Sequence, residues 1–154
     1  GLEIGNRQSE IPSLMVDIDA VYEGNLRCRV RHGPSGQEFV TDAPKDNFGK
    51  GEAFSPTDLV AAALSSCMLT VMGIVAMRHQ IDLTGTTAHV RKEMIAGQDR
   101  PIGRLVVTIT FPRNFSGERR ELLERSAMSC PVHHSLHPAI DAPVQFVYPS
   151  SPAH

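Results

Sequence analysis

The chain has 154 residues, room for one domain with a real core; two independent domains would leave each half near the size where cores become marginal. Hydrophobic residues at 41% and charged residues at 21% match globular usage and exclude a disordered chain. A net charge of -2, with 5% aromatics and no Trp, excludes the basic, ring-studded surface that nucleic acid binding requires.

In chain order, the first residues mix charged and polar side chains without an apolar run, so no leader peptide is expected. Leu14 to Val21 alternates apolar and polar residues, the period of a half-buried strand, and Glu23-Gly24-Asn25 supplies a turn. A hairpin partner follows, with Leu26, Cys28 and Val30 on one face and Arg27, Arg29 and Arg31 on the other. Gly33-Pro34-Ser35-Gly36 turns into a short third strand over 37–41, and a polar loop runs to Phe54. Ser55-Pro56-Thr57-Asp58 then opens a helix: Ser55 suits the N-cap, Pro56 the first helical position and Asp58 the reciprocal carboxylate of a capping box. That helix is expected to reach about His79. Leu59 to Met77 carries no charge and is long enough to cross a bilayer. The serines, threonine and glycine within it, the missing aromatic belt and the amphipathic neighbours favour a buried helix covered on every side, with no membrane span.

Ala88 and Val90 alternate with His89, Arg91 and Glu93 in the next strand, and residues 105–111 form another. Ser116 caps a second helix whose apolar stripe is Leu123, Ala127 and Cys130. Pro131 opens a short third helix over 132–137 with Cys130 at its start, Pro138 stops it, and Val144 to Tyr148 is the last strand.

The three cysteines, Cys28, Cys67 and Cys130, are odd in number and far apart, which fits reduced thiols in the cytoplasm and not a disulfide framework. Cys130 lies where a helix starts, and N–H groups there favour thiolate, so a lowered pKa is expected. Cys67 sits mid-helix and needs a cation from elsewhere; the arginine strand is one source, although such a face is more often simply solvated. Cys28 reads as structural. Asp58, nine residues before Cys67, lies about 13.5 Å away and half a turn round one helix. It either caps the helix or is brought to another subunit's site by an antiparallel partner helix, which the small residues Ala61, Ala62, Ala63, Ser65 and Ser66 would let approach. Cys130, His133, His134 and His137 raise a metal reading, weakened because adjacent histidines diverge by about 100° on a helix. No metal is expected.

The run SPTDLVAAALSSC ending at Cys67, followed downstream by CPVHHSL starting at Cys130, resembles the OsmC/Ohr family of osmotically inducible and organic hydroperoxide resistance proteins. The resemblance covers about residues 14–147 as one OsmC-like domain. It implies an α+β fold in which a long central helix is wrapped by antiparallel sheets, in an intertwined homodimer with two-cysteine sites at the interface. It also implies that Cys67 is the peroxidatic and Cys130 the resolving cysteine. Better-studied branches carry Asn-Pro-Glu before the helix, with the Glu paired to an activating Arg. Here Thr57 stands in its place, the carboxylate is Asp58, and Arg27 is the candidate for the cation.

The function so implied is a thiol-dependent peroxidase acting on organic hydroperoxides, recycled by an external dithiol and using no metal or flavin. The rival is a non-catalytic OsmC-like dimer that binds a small apolar or electrophilic ligand, its cysteines serving as sensor or core.

Overall fold

The computed structural model describes residues 14–150; the expectation about a leader falls on residues 1–13, outside them. The chain divides into two compact units, one up to Pro56 and one from Thr57 onward.

The first unit holds β1 (Ile18–Gly24), β2 (Arg27–His32) and β3 (Glu38–Val40) in one antiparallel sheet of that order. β1 starts four residues later than its alternation predicts, because its ladder begins where Ile18 pairs with His32, the last residue of β2. The hairpin needs left-handed backbone at Gly24, Asn25 and Leu26, with φ of 86°, 55° and 62°, which glycine and asparagine supply readily. A loop follows, containing a single 3-10 turn at Lys45–Asn47. It folds back so tightly that a Cβ on Gly49 would lie 1.8 Å from the Ala43 carbonyl oxygen.

The second unit is built on α1 (Pro56–Arg78), whose first residue closes the first unit. Around it are β4 (Thr87–Met94), β5 (Ile102–Thr110), α2 (Gly117–Met128), α3 (Pro131–Ser135) and β6 (Val144–Val147). The sheet order is β4-β5-β6. β4 and β5 are antiparallel, but β6 runs parallel to β5, pairing Val107 with Val144 and Ile109 with Phe146. The expectation of wholly antiparallel sheets is therefore corrected here. The connection from β5 to β6 passes through α2 and α3, and such a helical crossover carries the chain back to the end of the sheet where β5 began, which makes the pair parallel.

Helical spacing puts Ala61, Leu64, Met68, Met72 and Ala76 on one stripe of α1, and all five are buried. They join Leu105, Val107 and Ile109 of β5 with Leu123, Ala127 and Cys130 in a single core. The stripe read for α2 is thus the one that packs. Ser116 caps that helix by accepting the Arg119 N–H. Phe111 stacks on Tyr148 at 4.6 Å, and the Tyr148 hydroxyl donates to Glu124 at 2.9 Å, which fastens the end of β6 to α2.

α1 is the one described helix long and apolar enough to cross a membrane. Its own chain covers one stripe of it and leaves the opposite one, Ala63, Ser66, Thr70, Ile74 and Met77, exposed. On that face Ser66 and Thr70 donate their hydroxyls back to the carbonyls of Ala62 and Ser66, both at 2.8 Å, so even these residues present mainly carbon.

Candidate functional site

Cys67 lies in the middle of α1, to one side of the buried stripe, and is half-buried. Cys130 follows the end of α2 and is closed to solvent. Its backbone is extended, with φ of -59° and ψ of 126°, as the residue before a proline must be. Pro131 takes the first helical position, and the His134 N–H donates to the Cys130 carbonyl at 3.1 Å. α3 ends at Ser135, two residues short of the expected His137, because Leu136 already has ψ of 148°.

The fold of the second unit brings the two cysteines to one core: Cys130 lies within it, Cys67 packs against it, and both thiols are free. Burial is the main cause that pushes the Cys130 thiol above its ordinary pKa, followed by the Cys67 thiol. The N–H groups of Val132 and His133 pull the other way and are outweighed. The expected lowering of this pKa is therefore corrected: one turn of helix contributes less than removal of the thiolate from water.

Asp58 makes an ion pair with Lys92 of β4 at 2.7 Å, and the same ammonium donates to the Thr57 hydroxyl at 2.8 Å. Lys92 is only 17% exposed, and it ties the first turn of α1 to the sheet. Sequence reasoning missed it. The signal was its phase, since Lys92 shares the inward side of β4 with Ala88 and Val90.

Arg27 lies in the first unit, where it bridges Asp42, at 3.3 Å, and Glu52. The N–H of Glu52 and the charge of Arg27 keep Asp42 below the usual carboxylate pKa, against the opposing effect of burial. Arg29 pairs with Glu23 and Glu38. Cys28 donates its N–H to the Thr41 hydroxyl at 3.3 Å, within the sheet. The rings of His133 and His134 stand edge to face at 86°, and His137 Nδ1 accepts the Ala139 N–H. Among the described residues, no group of three or more His, Cys, Asp or Glu side chains could hold a metal ion.

Two cysteines at one core, one half-buried and one enclosed, form a candidate dithiol–disulfide couple. The family model for OsmC-like protein matches residues 49–144, which contain both cysteines. Among solved structures, a Psychrobacter arcticus 273-4 protein named for osmotic stress induction and a detoxification response is 44% identical, with a TM-score of 0.80 over 86% of this chain and 96% of that one. An organic hydroperoxide resistance protein OsmC from Legionella pneumophila is 16% identical, with a TM-score of 0.69 over 86% and 96%. An organic hydroperoxide resistance protein from Elizabethkingia anophelis is 19% identical, with a TM-score of 0.70 over 88% and 96%. The last two share the fold. No curated protein matches the chain.

Proposed function

This chain belongs to the OsmC-like protein family, and from that premise we propose that it is a thiol peroxidase for organic hydroperoxides. The observation that carries the reading is the placement of Cys67 and Cys130 at one core, the first half-buried and the second enclosed. Cys67, the half-buried member, attacks the peroxide O–O bond as thiolate; the alcohol leaves and Cys67 becomes a sulfenic acid. Cys130 condenses with it, releasing water and forming a disulfide, which an external dithiol reduces. Leu69 and Val71, half-buried near Cys67 in α1, supply apolar surface for the alkyl group.

The two compact units are read together as one OsmC-like domain, because the family match begins at residue 49, inside the first unit, and continues through the second. The carbon-rich open face of α1 supports a second copy of this chain as its cover, and three free cysteines suit a reducing, cytoplasmic setting. Arg27 remains the proposed activating cation, chosen from the arginine face of β2 and not placed by the family motif.

The test uses Cys130→Ser and Cys67→Ser with cumene hydroperoxide. Cys130→Ser is expected to react once and leave a sulfenic acid that dimedone traps, whereas Cys67→Ser stays inert. Wild type should prefer cumene hydroperoxide to hydrogen peroxide by about tenfold or more, from burial of two or three CH₂ equivalents at about 0.8 kcal/mol each. Binding without turnover in the presence of a dithiol would instead favour the non-catalytic dimer.

A further inference from the structure

The two cysteines at this core differ in what surrounds them. Cys67 is half-buried at the side of α1, and Cys130 is 0% exposed, within the core that includes Leu123 and Ala127. Thiol–disulfide exchange is an in-line displacement: the incoming thiolate approaches one sulfur from the side opposite the other. Of the two residues, Cys67 is half-buried and keeps some surface open to solvent, whereas Cys130 keeps none. Approach to the Cys130 sulfur would have to come through the packed interior.

Resting on the proposed Cys67–Cys130 couple, we infer that the external reductant enters the cycle at the Cys67 sulfur, forming its mixed disulfide there and expelling Cys130 as the leaving group. The electrons balance over two exchanges. In the first, the reductant thiolate forms a bond to Cys67 Sγ as the Cys67–Cys130 bond breaks, and Cys130 takes the electron pair and then a proton. In the second, the reductant's other thiol attacks its own sulfur, leaves as a cyclic disulfide and returns the Cys67 thiolate. Burial that raises the Cys130 pKa makes it a slow leaving group, so access decides where attack occurs and Cys130 limits how fast.

The test begins with wild-type protein oxidised by diamide, an azo compound that takes up the two electrons and two protons. Hydroperoxide chemistry is therefore not needed, and failure of the peroxidase reading would leave this test intact. The disulfide form is exposed briefly to glutathione, a monothiol that stops at the mixed disulfide, and is then trapped with N-ethylmaleimide. Cys67 and Cys130 fall on separate tryptic peptides, residues 51–78 and 126–154, so mass spectrometry reads each of the two.

Glutathione on Cys67 and maleimide on Cys130, exceeding the reverse by about tenfold or more, is the expected result. In denaturing urea the bias should collapse toward an even split. Glutathione on Cys130, an even split in the native protein, a bias that survives urea, or failure of diamide to form the disulfide would each overturn the assignment.

Discussion

The two three-stranded sheets carry similar alternating patterns and meet very different surroundings. In the second, Leu105, Val107 and Ile109 of β5 are each 0% exposed, closed in by α1 and α2. In the first, Ile18, Val21 and Tyr22 of β1 remain 62 to 63% exposed. Alternation thus states that a face needs a cover without saying where the cover comes from. β5 draws it from its own unit, whereas β1 is left open among the described residues.

The largest expected effect is the contrast between Leu105→Ala and Ile18→Ala in urea unfolding. Leu105→Ala removes fully enclosed atoms and should lose about 2 to 5 kcal/mol. Ile18→Ala should lose under about 1 kcal/mol in dilute protein and more where copies associate, since an exposed side chain has little burial to forfeit. Equal losses at every concentration would break the comparison.

A pair of glycines sharpens it. Gly49→Ala drives a Cβ against the Ala43 carbonyl and should lose about 1 to 3 kcal/mol. A Cβ on Gly73 of α1 meets nothing within 4 Å. Gly73→Ala should therefore gain up to about 1 kcal/mol through helix propensity alone. A loss there in the associated protein, and a gain in the dilute one, would show a second copy seated on that side of α1.

The smallest effect is one of pH. The Thr84 N–H and then the Thr84 side chain, followed by Arg113, hold the Asp82 carboxyl down at about 2. Because the folded pKa is depressed, the stabilisation is complete above the ordinary carboxylate value and is lost as pH falls through about 2. Asp82→Asn should be slightly less stable than wild type at neutral pH, and the two unfolding curves should merge in strong acid.

Much of this was legible in local chemistry. Ser55-Pro56 placed the start of α1 to the residue, Ser116 placed that of α2, and the Leu123, Ala127, Cys130 spacing marked the face that packs. Long-range facts were not. Nothing local to Val144 says that it pairs parallel with Val107, and nothing local to Lys92 says that Thr57 and Asp58 await it. The Cys130 pKa was misjudged for the same reason, since the helix start is visible in Pro131 and the burial that outweighs it is not.

The parallel pairing of β5 with β6 also bears on the order in which the molecule comes together. Cys130 lies inside the crossover those strands bracket, and its partner Cys67 lies far back on α1. Hairpins such as β4–β5 close short loops and form early, whereas a parallel rung across a helical crossover closes a long one, whose entropy is lost before contacts compensate for it. Cys67 and Cys130, 63 residues apart in sequence, belong to the same long-range class, and contact order places their meeting after the local hairpins. A folding chain is then expected to keep these two sulfurs apart while the short-range structure forms.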